Sequence, residues 1–278
     1  MTPREAARQV RQGLPVPWPV PWPGLGQGPG RIAILVRHNF ALLTREPGPL
    51  ISRLVQPVVL MMLMRPLYMA ALARYGAQAG TAQVVTGMLV LFSLLALSVV
   101  GGAIMAERAW RTWDRLRVTP ARAGELLLGK AIPAFALLAV QQAVVISFGV
   151  VVFGLDVRGL GLVATAIACW ALALLGIGAV FGAMLRSQSE LQVAYDIGGV
   201  LLSALGGAMV PLTTLPRWAQ AIAPASPGYW AMSALRSALL GQAAGTMRAA
   251  SVLLAIAAIT GTLAAWRISR GWPRSRLL

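Results

Sequence analysis

Apolar residues are concentrated in six long stretches of the chain, and short polar connections separate them. Each stretch has about the 17–25 residues that an α-helix needs to cross the hydrocarbon core of a bilayer. The pattern predicts six transmembrane helices, near residues 54–73, 84–105, 127–153, 160–185, 191–212 and 250–266. We therefore expect an all-α integral membrane domain over residues 31–278.

Two different segments precede the first predicted span. Residues 1–30 contain a repeated Val-Pro-Trp-Pro and then a glycine-rich stretch, so we predict a disordered N-terminal extension. Residues 31–46 carry apolar side chains at helical spacing among arginines. A basic amphipathic helix just before a first span is expected to lie in the cytoplasmic membrane interface.

The connection after the second span has its own helical pattern. Trp110, Trp113 and Leu116 form a stripe with i, i+3, i+6 spacing, and Thr119-Pro120 stops it. Side chains at this spacing lie on one face of a helix. The sequence therefore predicts a short cytoplasmic amphipathic helix over about residues 107–118.

The connection between the fifth and sixth spans is too apolar for a free loop. It covers about residues 211–245, and Pro216, Pro224 and Pro227 interrupt it. Proline cannot continue a helix interior. We expect short helices that dip back into the outer membrane surface as a re-entrant segment.

The charge of the chain gives the orientation of these spans. Lys and Arg number 24 against 8 Asp and Glu, a net charge of +16, yet 58% of the chain is hydrophobic. A mean hydropathy of +0.72 excludes a soluble nucleic-acid-binding protein, which could not expose so much apolar surface. With both termini in the cytoplasm, eighteen basic residues fall inside and five outside, as the positive-inside rule requires.

The residues that usually carry catalysis or hold metals are scarce. One Cys, one His and eight scattered carboxylates provide neither a zinc site nor a carboxylate cluster for magnesium. Residues 124–130 have P-loop spacing, G-x-x-x-x-G-K, but Ala131 stands where Ser or Thr would hold magnesium. No strand precedes this motif, so we expect no catalytic site and no cofactor bound by this chain.

A few polar residues inside the predicted spans are candidates for a transport pathway. Arg65 is predicted near the bilayer midplane, with Gln141 and Gln142 at similar depth as possible partners. A charge at this depth faces a partner or a wet cavity, or else it reaches outward along a tilted span. Tyr195 and Asp196, near the cytoplasmic start of the fifth span, either line an inner vestibule or belong to a helix end.

Small residues recur on two of the predicted spans. Gly178 and Gly182 form a G-x-x-x-G pattern, and Gly198, Gly199 and Gly206 give the fifth span a small-residue face. Small residues let helices in a membrane approach closely. These faces suit packing within one subunit or contact between two subunits.

Two blocks of sequence resemble a known family. The first contains Glu107-Arg108, Thr112 through Pro120, Glu125-Leu126 and Gly129-Lys130; the second contains Gly207 through Pro211, Leu215 through Trp218, and Leu235-Arg236. In this order they resemble the membrane subunits of type-2 ATP-binding-cassette (ABC-2) exporters, in particular the daunorubicin-resistance-like drug and lipid permeases. Arg111 replaces a common Gly, and Asp114 stands where Glu is more common.

The resemblance implies the partners and the roles of residues. The helix between spans two and three would be a coupling helix that docks on a cytoplasmic ATPase, and its residues would be Glu107, Trp110, Arg111, Thr112, Trp113, Asp114, Leu116 and Arg117. ATP and magnesium would be held by two copies of that ATPase. A second permease subunit, expected to form a homodimer, would complete the pathway among membrane lipids. The outer gate would use Pro211, Leu215, Trp218, Tyr229 and Trp230.

We therefore expect a plasma-membrane or inner-membrane permease that exports an amphipathic drug, antibiotic or lipid. Export of surface polysaccharide or glycolipid is an alternative with the same layout. A membrane-embedded lipid-modifying enzyme and an ion-coupled carrier are alternatives of other classes. The first of these needs a polar catalytic cluster, and the second needs more acids within the spans.

Overall fold

A computed structural model describes residues 29–45, 47–76, 78–109 and 123–269 of the chain. Within these ranges the regular structure is helical and contains no strand. The α-helices are α1 (Pro29–Arg45), α2 (Pro47–Ala71), α3 (Ala79–Leu95), α4 (Leu97–Ala109), α5 (Ala123–Phe153), α6 (Leu160–Met184), α7 (Gln188–Leu205), α8 (Arg217–Ile222), α9 (Pro227–Leu239) and α10 (Ala243–Ser269).

Five helical stretches in the described part of the chain are long and apolar enough to cross a membrane. They are Leu50–Ala71, Ala79–Gly102, Leu128–Phe153, Leu160–Met184 and Ala243–Arg267. The remaining predicted span, 191–212, corresponds to α7, which ends at Leu205 because Gly206 and Gly207 turn the chain. The first half of α7 carries Glu190, Gln192 and Asp196. The all-helical membrane architecture is confirmed, and the sixth crossing by α7 stays a prediction.

Most other helix boundaries lie close to those predicted from the apolar pattern. The predicted spans at 127–153 and 160–185 lie within or beside α5 and α6. The second span differs in form, because Ala96 interrupts it and separates α3 from α4. The predicted interfacial helix corresponds to α1, and the first span begins earlier than predicted, inside α2.

Helix α3 is the centre of the subunit. Thirteen of its 17 residues are buried, whereas few residues of the first candidate span, Leu50–Ala71, are buried inside the protein. Two buried hydroxyl groups of α3 donate to carbonyls of their own helix: Thr86 Oγ1 to Ala82 O at 2.7 Å and Ser93 Oγ to Leu89 O at 2.6 Å. Such bonds satisfy a hydroxyl without a partner from another helix.

Helices α4 and α6 cross through glycines. A Cβ on Gly182 would lie 2.7 Å from Gly101 O, and a Cβ on Gly178 would lie 2.9 Å from Val100 Cβ. The two backbones therefore touch where side chains would normally separate them. The G-x-x-x-G pair is thus used for packing within one subunit.

The P-loop-like segment is part of a helix. Helix α5 begins at Ala123 and runs through Gly129, where a Cβ would lie 2.7 Å from Leu35 Cβ of α1. The Asn39 side-chain amide donates to Gly129 O at 3.1 Å. Gly129 therefore holds the predicted interfacial helix against α5, and the loop that cradles phosphate in a P-loop is replaced by helix.

Candidate functional site

Helix α7 begins with a side-chain cap and has two different faces. Ser187 Oγ accepts from the backbone N–H of Glu190 at 3.2 Å, and the Glu190 carboxylate accepts from Arg186 N at 2.9 Å. This S-x-x-E arrangement satisfies N–H groups that a helix start leaves free. The inward face is Leu191, Tyr195, Gly199 and Ser203, and the exposed face is Gln192, Val193, Asp196, Ile197, Val200 and Leu201.

Tyr195 and Asp196 point to opposite sides of α7. Tyr195 is 1% exposed, its hydroxyl donates to Gly178 O at 3.4 Å, and its ring lies 5.8 Å from the Phe181 ring. The Asp196 carboxylate is exposed and accepts from Gln192 Nε2 at 3.1 Å. Asp196 therefore does not cap α7, since Ser187 does, and it stands on a face that no described part of the chain covers.

Arg65 lies near the end of its helix, away from the two glutamines. Its guanidinium stacks on the ring of Phe153, the last residue of α5, at 4.6 Å from the centroid. Gln141 and Gln142 are eleven or twelve residues earlier on α5, which is about 17 Å at 1.5 Å per residue. The structure thus separates Arg65 from both glutamines along α5, and the depth of each in the bilayer stays a prediction. Arg65 lines a cavity of about 320 Å³ with Met62, Pro66, Met69 and Phe153.

Gln141 and Gln142 are buried in the subunit. Both amide atoms of Gln142, Oε1 of Gln141 and Nε1 of Trp170 are inaccessible to solvent and have no hydrogen-bond partner among the residues that the structure describes. Gln142 and Trp170 are each 0% exposed. A buried polar group without a partner costs free energy, so each of these side chains lowers the stability of the packed subunit.

The predicted outer segment is a series of short helical turns divided at its prolines. Pro216 precedes α8, Pro224 lies in a 3₁₀ turn, and Pro227 is the first residue of α9. This matches the predicted helix breaks, and the depth of the segment in the bilayer stays a prediction. Pro211 and Leu215 flank the 3₁₀ turn Leu212–Thr214 and are half-buried.

The aromatic residues of this segment differ in exposure. Trp218 on α8 is 66% exposed. Trp230 is half-buried: its Nε1 donates to Pro224 O at 2.8 Å, and its ring meets the Tyr229 ring edge-on at 5.2 Å. Trp230 therefore stabilises the turn before α9, whereas Trp218 is available to a partner or to lipid.

The start of α9 is fixed to the end of α7. Ser226 Oγ donates to Leu202 O at 2.6 Å and accepts from Gly228 N at 3.1 Å. A Cβ on Gly206 would lie 2.6 Å from the carbonyl carbon of Gly228. The end of α7 and the outer segment are therefore one packed unit.

Sequence reasoning missed a polar junction between α3, α9 and the turn that follows α7. Gln83 of α3 is 2% exposed, donates to Gly207 O at 2.9 Å and accepts from Arg236 of α9. The Tyr68 hydroxyl donates to Met209 O. The sequence signals that could have indicated this junction were a single Gln near the start of an apolar span and a single Arg in α9.

The predicted coupling helix falls almost entirely outside the described residues. Glu107 belongs to the last turn of α4. The others lie between α4 and α5, beyond the described ranges: Trp110, Arg111, Thr112, Trp113, Asp114, Leu116 and Arg117.

The chain is similar to known membrane permeases. The family model described as ABC-2 type transporter matches residues 31–240. The linearmycin resistance permease protein LnrN of Bacillus subtilis (strain 168) is 26% identical over 188 residues, which is 66% of this chain and 49% of that protein. The probable multidrug ABC transporter permease YbhR of Escherichia coli (strain K12) is 24% identical over 139 residues, 49% of this chain and 38% of that protein. The chain therefore spans about half or less of the length of these relatives.

Proposed function

The chain belongs to the ABC-2 type transporter family of membrane permeases and is a multi-pass protein of the cell membrane, and from this we propose that it exports an amphipathic drug, antibiotic or lipid. The observation that carries the proposal is the family match over residues 31–240, which covers α1 to α9 and both blocks of sequence noted above. The relatives are named for linearmycin resistance and multidrug transport, which favours this substrate class.

The energy for transport would come from a separate polypeptide. The segment with P-loop spacing is helical at Gly129, and its glycine is used against Leu35. Two copies of a cytoplasmic ATPase would bind ATP and magnesium, and each would receive one coupling helix. Trp113 and Leu116 would be the buried anchors of that contact, because aromatic and large apolar residues dominate interface energetics.

The exposed face of α7 supports its role in the pathway. Gln192 and Asp196 give it a polar part, and Val193, Ile197 and Leu201 give it an apolar part. A surface with both characters suits an amphipathic substrate between two subunits. A second copy of the chain would face this surface, giving twelve spans, and the segment with Trp218 would close the outer end.

The first experiment uses the full chain produced together with its ATPase and reconstituted in lipid vesicles. ATP hydrolysis is measured across a panel of amphipathic drugs, lipids and glycans. We expect stimulation by drugs or lipids. Stimulation by glycans alone would favour polysaccharide export, and a chain that stays monomeric and copurifies with no ATPase would overturn the proposal.

A second experiment tests the coupling helix. The double variant Trp113→Ala with Leu116→Ala should lose ATPase association in copurification by tenfold or more, because it removes two apolar anchors of about 2 kcal/mol or more each. Trp218→Ala is the matched control: it removes an exposed Trp from the opposite end and should leave association unchanged. Equal association of both variants would contradict the coupling role.

A further inference from the structure

The largest cavity we describe lies on the predicted outer side, between the α2–α3 turn, the α5–α6 turn and α9. Its volume is about 580 Å³. Its polar lining includes Gln78, Gln83, Asp156, Arg158, Thr213 and Arg236. Its apolar lining includes Leu72, Ala82, Leu155, Pro211, Leu212 and Leu239. A cavity with mostly apolar walls and a few polar side chains has the features of a site for an amphipathic molecule.

Among the charged residues that line this cavity, Arg236 is the one without an oppositely charged partner in the described part of the chain. The cavity contains one carboxylate, Asp156, which pairs with Arg158 at 3.2 Å. Both members of that pair are more than half exposed, so their interaction is weak. Among the residues that the structure describes, no carboxylate lies within 4 Å of the Arg236 guanidinium. The cavity therefore carries one net positive charge at Arg236.

Gln83 holds Arg236 in place without neutralising it. The Gln83 side-chain oxygen accepts from Arg236 Nη2, and its nitrogen donates to Gly207 O at 2.9 Å and to Ala208 O at 3.4 Å. These bonds orient the amide oxygen toward the guanidinium. Burial lowers the pKa of Arg236, because desolvation disfavours its charged form. A guanidinium still remains protonated at neutral pH, so a partly desolvated cation faces the cavity.

We propose that this cavity binds an amphiphile with one anionic head group, a phosphodiester or a carboxylate, with the head group on Arg236 and the hydrocarbon against the apolar wall. An arginine fork matches the geometry of both groups and binds them through charge-assisted hydrogen bonds. The wall formed by Leu72, Leu155 and Leu239 gives the hydrocarbon a place away from water. The bound anionic amphiphile can be a lipid of the outer leaflet or the transported molecule itself.

The residues that line the cavity in the described part of the chain are enough to test binding without a second protein. Binding can therefore be measured on the full chain without its ATPase. A failure to bind would leave the ATPase and export experiments unaffected, and a failure of export would leave this site in place.

The test measures binding to the full chain in neutral detergent by native mass spectrometry. The probes are short-chain phosphatidylglycerol, decanoate, and short-chain phosphatidylcholine, whose net charge is zero. We expect one molecule of an anionic probe per chain, and at least tenfold weaker binding for Arg236→Gln, since a charge-assisted pair is lost. Arg236→Lys keeps the charge and should recover part of the affinity.

Two further variants make the result decisive. Arg217→Gln removes an exposed arginine of α8 that does not line the cavity, and it should bind like the wild type. Thr213→Trp fills the mouth of the cavity from an exposed turn and should block binding even if Arg236→Gln fails to fold.

Phosphatidylglycerol binding alone would identify a lipid head group, and decanoate binding alone would identify a carboxylate. Wild-type affinity in Arg236→Gln or Thr213→Trp would overturn the proposal, as would an equal loss in Arg217→Gln.

Discussion

The hydroxyl oxygen of Tyr195 occupies the space where Gly101 would carry a side chain. A Cβ on Gly101 would lie 1.6 Å from Tyr195 Oη, 2.8 Å from Cζ and 2.9 Å from Gly178 O. The ring cannot move away easily, because it is buried beside Phe181. Helices α4, α6 and α7 therefore meet at one point that only glycine permits.

Gly101→Ala should destabilise the protein by about 1–3 kcal/mol or more, the usual cost of overpacking a core. Adding Tyr195→Phe should restore part of the loss, since it removes the atom at 1.6 Å but leaves the ring carbon and the Gly178 carbonyl. The measurement is the unfolding temperature in detergent. Gly102→Ala is the control, because its Cβ would meet only Gln188 Nε2, at 3.9 Å. Equal unfolding temperatures for the two alanine variants would refute this account.

Cysteine labelling can decide whether α7 crosses the membrane. The native protein has one cysteine, Cys169, which is buried. In intact cells a membrane-impermeant maleimide should label Ala221→Cys on α8 but not Ser189→Cys at the start of α7. Both positions are exposed. After permeabilisation both should react. Labelling of both positions, or of neither, in intact cells would mean that the two ends of α7 are on the same side.

Gln142→Leu should stabilise the subunit by about 1–3 kcal/mol, because it removes a buried donor and a buried acceptor that have no partner among the described residues. Gln141→Leu should give a smaller gain, since only Oε1 of that side chain is both inaccessible and without a partner there. Thermal unfolding in detergent measures both changes. A loss of stability in Gln142→Leu would show that its amide is hydrogen-bonded in the working protein, as a residue of a wet pathway would be.

Gly129→Ala should separate the interfacial helix α1 from α5. Its Cβ would lie 2.7 Å from Leu35 Cβ, and a shift there would also stretch the bond from Asn39 to Gly129 O. Hydrogen exchange of the α1 amides should become faster. Gly161→Ala, whose Cβ would meet nothing within 4 Å, is the control and should leave α1 unchanged. Adding Leu35→Gly, which removes the opposing Cβ, to Gly129→Ala should restore slow exchange in part; if it does not, this contact does not hold α1.

Much of the helical layout was available from hydropathy alone. Long apolar runs ended by glycine or charge, as at Gly154 and Gly159, define α5 and α6 well. The position of Arg65 against α5 was not available in this way, because the apolar run of the first span extends on both sides of it. Its position became clear only from its contact with Phe153, 88 residues later in the sequence.

The cavity with Arg236 was also beyond sequence reasoning. Its polar residues are single side chains in apolar surroundings, and Gln83 and Arg236 are 153 residues apart. Tyr195 illustrates the same limit: its position near the cytoplasmic start of the fifth span left a vestibule or a helix end open, but its side chain lies in the core, in the space left by Gly101. Periodicity places side chains on faces of helices, and only packing decides what covers each face.

The buried hydroxyls of α3 have a consequence for how the chain enters the membrane during synthesis. Thr86 and Ser93 donate to carbonyls of their own helix, so the second span can meet lipid before later helices exist. Gln83 is different, because its partners lie at residues 207, 208 and 236. While the nascent chain leaves the translocon, the Gln83 amide must stay near water at the membrane surface. Its hydrogen bonds can form only when residues 207 and 208 and Arg236 of α9 have been made and reach it.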